Sequence, residues 1–222
     1  MNYIILLHGL GSNKFFMYPL QKYLENQLSN TKILNYQFNS FFEDIPTICT
    51  NLIEKIQKDV LNATKIIFLG HSLGGLISFQ LAEYFAHIYD VSCITLGTPY
   101  KGAHLANFFR KTIPLLNIIS PILHNLSRNG NFHHNETQIH HHIIIGKRKL
   151  DFMNPISWIT NIILLPFDHH DGVVELLPSD FDHIKNKTLY FIECDHVHMI
   201  FDTKTNKLLL NIINKIVDQS IK

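Results

Sequence analysis

In the stretch "KIIFLGHSLGGLISFQL", Lys65 to Leu81, a lone hydroxyl sits at a corner between glycines. An apolar, β-branched run leads into Gly70-His71-Ser72-Leu73-Gly74, and a helical pattern follows. A serine hydroxyl is a weak nucleophile unless it is exposed and paired with a base. A tight strand-to-helix turn would push Ser72 out at the carboxyl end of a sheet. It would also crowd the neighbouring residues, so Gly70 and Gly74 fall where a Cβ would clash. The helix that begins there aims its N–H groups and dipole at any negative charge that develops. The chemistry these residues suit is acyl transfer through a serine.

Acyl transfer also needs an oxyanion hole, a base and an acid. The stretch "LLHGLGSN", Leu6 to Asn13, offers the first. The backbone N–H of Leu10 and that of Leu73, just after the nucleophile, could together hold an oxyanion. His8 is read as structural, a brace for the loop at the end of the first strand.

These residues need elements to position them. Candidate strands are Tyr3–His8, Lys32–Phe38, Lys65–Leu69, Val91–Leu96, His140–Ile145 and Thr188–Cys194. The runs are nearly continuous in Ile, Leu, Val and Phe, as in parallel strands buried on both faces. Between them lie helix-period segments. In Asp44–Leu61 the apolar residues Ile45, Ile48, Leu52, Ile56 and Val60 recur every three or four positions. Near the end, Leu208, Leu209, Ile212, Ile213, Ile216 and Val217 form one stripe. The alternation predicts an α/β fold: a doubly wound, mostly parallel sheet of about six strands. The 222 residues and 46% hydrophobic content suit a single domain over 1–222. Two stretches break the alternation, 103–138 and 150–167. Both are dense in apolar residues and interrupted by prolines, and they read as helical insertions above the sheet.

Charged residues make up only 17% of the chain and the formal net charge is +1, so no basic field points to nucleic acid. Cys49, Cys93 and Cys194 are scattered, odd in number and form no disulfide or zinc framework. The opening stretch "MNYIILLHGLGSN" has no basic n-region or small-residue cleavage site, and its apolar run is too short to cross a bilayer. The expectation is a cytoplasmic protein with free thiols. The fifteen histidines raise a metal reading. His140-His141-His142 would alternate faces of a strand, and no helical His-x3-His pair occurs, so neither a metal nor a cofactor is expected.

Three motifs together carry a resemblance. His8-Gly9-Leu10-Gly11, Gly70-His71-Ser72-Leu73-Gly74-Gly75 and Leu96-Gly97-Thr98-Pro99-Tyr100-Lys101-Gly102 resemble the α/β-hydrolase superfamily, nearest to small lipases and lipase-like serine esterases. The later "HDGVVELLPS" looks like that family's acid loop. The resemblance implies the order serine, acid, histidine. It matches Asp171, followed by Gly172, Val173 and Val174, to the acid, with Asp168 as the rival. It places the base in "FIECDHVHMIFD". His196 fits the family pattern, because Met199 and Ile200 follow at three and four positions; His198 is the alternative.

The implied reaction is hydrolysis of carboxylic esters through an acyl-enzyme. Ser72 is the nucleophile, His196 the base and Asp171 its partner, with Leu10 and Leu73 at the oxyanion. Insertions at such positions are lids in lipases, which implies an apolar acyl ester or lipid substrate and transient contact with a membrane surface. Rivals that share the triad are a thioesterase, an amidase, an acyltransferase and a lysophospholipase. A silent hydrolase-like binding module is the rival from another class.

Overall fold

The structure is a computed structural model. It describes residues 1–100, 139–147, 171, 181–182 and 184–218. The segments 103–138 and 150–167, read as helical insertions, lie outside the described residues, as does Asp168.

Six strands form one sheet: β1 (Asn2–Leu7), β2 (Thr31–Tyr36), β3 (Lys65–His71), β4 (Asp90–Leu96), β5 (His140–Gly146) and β6 (Lys187–Ile192). Their order across the sheet is β2-β1-β3-β4-β5-β6, and every neighbouring pair is parallel. Helices α1 (Tyr18–Gln27), α2 (Ile45–Asp59), α3 (Leu73–Phe85) and α4 (Thr203–Asp218) complete the described frame.

The side-chain alternation of β1 explains the two layers. Tyr3, Ile5 and Leu7 point one way, into a core shared with α2 and α3. Ile4 and Leu6 point the other way, into a core shared with α1 and α4. Both faces of β1 are therefore buried, which is why the strand reads as an unbroken apolar run. In α2, Ile45, Ile48, Leu52 and Ile56 face the sheet, and Asp44 caps the helix by accepting from the Thr47 N–H at 2.9 Å. The stripe in α4 puts Leu209, Ile212, Ile213 and Ile216 into the other layer, while Leu208 and Val217 flank it half-buried. Helix α3 is apolar nearly all round because it lies between the sheet and α2.

The predicted strands agree with the observed ones except at their ends. Strand β2 stops at Tyr36 rather than Phe38, and β6 at Ile192 rather than Cys194. In both places the chain leaves the sheet to build the site. Helix α1 was not anticipated. Its signals are Pro19 in the first turn and buried Leu20 and Leu24 one turn apart.

Truncating a fully buried strand residue should leave an unfilled cavity. Ile5→Ala is expected to lower unfolding free energy by about 2–5 kcal/mol in urea titration.

Candidate active site

The carboxyl ends of β1, β3, β4 and β5 meet at one edge, and the candidate residues lie on the turns that leave them. At the end of β3, Ser72 has φ 53° and ψ −120°. Among the described residues it is the only non-glycine with positive φ. Holding an L-residue there costs on the order of 1–3 kcal/mol. The surroundings hold it: the Ser72 N–H donates to the Leu96 carbonyl at 2.9 Å, and the Gly75 N–H donates back to the Ser72 carbonyl at 2.9 Å. A Cβ at Gly70 would strike the Gly74 backbone and Ser78 Oγ, and one at Gly74 would strike the carbonyls of Leu7 and His8. The two glycines thus let α3 start hard against β1 and β3. The α3 N-terminus then points at the Ser72 corner.

On the turn after β1, the Gly11 N–H donates to Ser40 Oγ at 3.0 Å, which ties this loop to the one after β2. Neither the Leu10 nor the Leu73 N–H donates to a backbone acceptor among the described residues. His8 is fully buried and stacks on Phe38 with ring centroids 4.0 Å apart. Its Nε2 accepts from the Phe38 N–H at 3.4 Å, so Nδ1 carries the proton and donates to the Gly9 carbonyl at 2.9 Å. Both ring nitrogens are spent on the backbone, and desolvation holds the His8 pKa below its ordinary value. His8 is a loop brace, as its sequence position suggested.

Asp171 and His196 form a buried pair. His196 Nδ1 lies 2.7 Å from Asp171 Oδ2, and the His196 N–H donates to the Asp171 carbonyl at 2.9 Å. The carboxylate side chain is 0% exposed and the imidazole 6%. A carboxylate this deep needs a bonded partner to offset its desolvation. Two glycines make room for the pair. Gly97, at φ 56°, would bring a Cβ to 2.9 Å from both Asp171 Oδ2 and His196 Nδ1. Gly146, at the end of β5, lies against Asp171 Cβ and the Cys194 carbonyl. Sequence reading quoted Gly97 as part of a motif but missed this function. The signal available was a glycine directly after the predicted strand Val91–Leu96.

His198 is placed differently. Its Nδ1 lies 2.8 Å from Asp195 Oδ2, three residues away, and its side chain is 49% exposed. Asp195 also accepts the backbone N–H groups of Val197 and His198, which ties it to the chain entering the short turn His198–Ile200. The histidine run in β5 divides as strand geometry requires. His141 stacks on Phe79 of α3, whereas His140 and His142 lie together on the opposite face with ring centroids 4.5 Å apart. Among the described residues no group of three or more His, Cys, Asp or Glu is arranged to hold a metal ion.

A cleft of about 500 Å³ opens beside the β1 loop, with Gly11, Ser12, Asn39, Ser40, Glu43 and Lys55 in its walls. Gly11, next in the chain to Leu10, lines it, and neither Asp171 nor His196 does.

Comparison with known proteins gives the chain a family and a fold. Residues 1–130 match the family described as "Putative serine esterase (DUF676)". A triacylglycerol lipase from Pseudarthrobacter phenanthrenivorans is 32% identical over 120 residues, which cover 50% of this chain and 37% of that protein. The chain matches only about a third of the length of the curated relatives. In fold it is similar to the lipase BlEst2 of Bacillus licheniformis, with TM-score 0.70, 19% identity, and coverage of 96% of this chain and 91% of the other. It is also similar to the metagenomic carboxyl esterase MGS0156, with TM-score 0.71, 16% identity, and coverage of 98% and 76%. At such identities the likeness is one of fold, the α/β-hydrolase fold of esterases and lipases.

Two outcomes follow from the packing. Gly97→Ala introduces a Cβ at positive φ against the buried Asp171–His196 hydrogen bond, and an equilibrium urea titration is expected to show a loss of about 2 kcal/mol or more. His71 is buried, and desolvation together with the neighbouring His196 lowers its pKa to about 3. An unfolded histidine takes up a proton near pH 6.5, so between about pH 6.5 and 3 the unfolded state holds the extra proton. Stability is therefore full above pH 6.5 and falls as the pH drops toward 3. The contribution of this residue approaches about 1.4 kcal/mol per pH unit, to be read as a flatter acid limb of the urea midpoint in His71→Phe.

Proposed function

The chain belongs to this serine-esterase family, and on that footing we propose that it is a carboxylic ester hydrolase that works through a Ser72–His196–Asp171 triad. The observation that carries the proposal is the buried 2.7 Å pair of His196 Nδ1 and Asp171 Oδ2, at the same sheet edge as the strained Ser72 turn. With Nδ1–H committed to Asp171, the lone pair of His196 sits on Nε2, the nitrogen a base must offer.

His196 Nε2 takes the Ser72 hydroxyl proton as Oγ bonds to the ester carbonyl carbon. The carbonyl π pair moves onto oxygen, and the N–H groups of Leu10 and Leu73 receive that charge. Asp171 stabilises the imidazolium without taking its proton. The tetrahedral intermediate collapses, the C–O bond to the alcohol breaks, and His196 Nε2–H protonates the leaving oxygen. Water then repeats the sequence on the acyl-enzyme, with His196 as base, and releases the acid and Ser72. Each oxyanion donor is worth about 3 kcal/mol of barrier.

The substrate we propose is an ester with an apolar acyl chain, met as a small molecule or at a membrane surface. The triacylglycerol lipase relatives and the apolar character of segments 103–138 and 150–167 support it. We assign those two segments to a cap over the site within a single domain. The three cysteines are buried and none is joined in a disulfide among the described residues, which supports a reducing compartment, the cytoplasm, as its place. No helix among the described residues is long and apolar enough to cross a membrane.

A fluorophosphonate probe should label Ser72. Ser72→Ala should abolish labelling and lower kcat on 4-nitrophenyl esters by about 10⁴-fold or more, with an unchanged thermal midpoint. His196→Gln should fall to a similar level, whereas His198→Gln should stay within about threefold of wild type. The reverse pattern for the two histidines would reassign the base. Across 4-nitrophenyl esters, kcat/KM is expected to rise from acetyl to octanoyl by about tenfold, from added burial of chain methylenes. A strict acetyl preference would remove the apolar-chain reading.

A further inference from the structure

We propose that His71 is a positioning residue: its Nε2–H holds the main-chain carbonyl of His196 and so sets where the His196 ring stands. The inference rests on the assignment of His196 as the base. His71 Nε2 lies 2.8 Å from the His196 carbonyl oxygen, and both groups are buried. A carbonyl can only accept, so His71 carries its proton on Nε2 and leaves Nδ1 bare. That Nδ1 is buried with no hydrogen-bond partner. An unmet buried acceptor is unfavourable, and a phenylalanine would fill the same space without one. The residue's distinguishing contribution is therefore its donor.

The geometry around that donor is specific. The backbone of His196 is held from two sides, its N–H by the Asp171 carbonyl at 2.9 Å and its C=O by His71 at 2.8 Å. Its side chain is held by the Asp171 carboxylate. These bonds fix the imidazole at backbone and Nδ1, leaving Nε2 to work. His71 also precedes Ser72 directly, so the same short stretch of chain carries the hydroxyl and anchors the base. The ring of His71 lies 4.7 Å from that of His196 between centroids, and Phe16 packs on it from the β1 loop at 5.7 Å. Burial, with His196 and His8 as the neighbouring titratable rings, keeps His71 neutral near pH 7. The His196 carbonyl, which can only accept, holds the His71 ring in its Nε2–H tautomer.

The test compares wild type, His71→Phe and His71→Gln. Glutamine can place an amide N–H near the position of Nε2; phenylalanine keeps the ring shape and removes the donor. Each protein is reacted with a fluorophosphonate probe and assayed on 4-nitrophenyl butyrate. In His71→Phe, kcat and the labelling rate should both fall by roughly 10- to 100-fold while KM stays within about threefold, the signature of a misplaced base. His71→Gln should recover most of the loss. A His71→Phe variant within about twofold of wild type, or a glutamine variant no better than phenylalanine, overturns the inference. Absence of labelling in wild type would instead sink the Ser72 assignment. Should His71→Phe fail to fold, nitrogen NMR of the wild-type His71 ring decides the matter. A neutral Nε2–H tautomer from pH 8 to 5 supports the proposal; an Nδ1–H tautomer, or titration near the ordinary histidine value, overturns it.

Discussion

The backbone of Ser72 is the constraint on which the site is built. An L-residue at φ 53° is held only by neighbours that leave it no alternative. Here they are the Leu96 carbonyl on one side and the first turn of α3 on the other. That turn can start there only because Gly70 and Gly74 have no side chains to meet the backbones of β1 and α3. The strained corner therefore ties β1, β3, β4 and α3 together at one point. It lifts a hydroxyl out of the sheet edge and aims a helix N-terminus toward it.

The rest of the edge follows from parallel topology. All six strands run in the same direction, so their carboxyl ends face one side and the turns that leave them are neighbours in space. Strand β1 contributes the loop with Leu10 and Gly11, β3 the Ser72 turn, β4 the bare backbone of Gly97, and β5 that of Gly146. Gly97 and Gly146 take no part in chemistry. They supply the volume in which an Asp171 carboxylate and a His196 imidazole can pack without water. Low polarity there strengthens the bond between them and makes any unpaired partner unfavourable, so the pair is stable only as a pair.

Histidine carries several distinct duties, and burial with hydrogen-bond partners sorts them. His8 spends both nitrogens on backbone groups and braces a loop. His71 donates once and stays neutral. His196 is bonded at Nδ1 and through its backbone. His198 is half-exposed and bound to Asp195, three residues before it. His142 is driven toward a pKa of about 4 by desolvation, next to His140 and Lys215. Residue type alone does not distinguish these cases, since all are the same imidazole.

Much of the frame was legible in the chain itself. Strands β1, β3 and β4 announce themselves as largely apolar runs because both of their faces are covered, and α2 and α4 as stripes because one face is. The G-x-S-x-G turn is legible because glycine is required wherever backbones meet that closely. Helix α1 was missed because its apolar face is narrow, with only Leu20 and Leu24 buried. Asp171 and His196 were named in the sequence only through family resemblance, since His196 and His198 stand two apart; the turn after β6 sends one inward and the other toward solvent. The bond from His71 to the His196 carbonyl spans 125 positions and left no local trace. Periodicity and glycine spacing record constraints between near neighbours, so the sequence determined the elements and the corner. Pairing across the sheet edge depends on the register and packing of distant strands, and only the folded chain decided it.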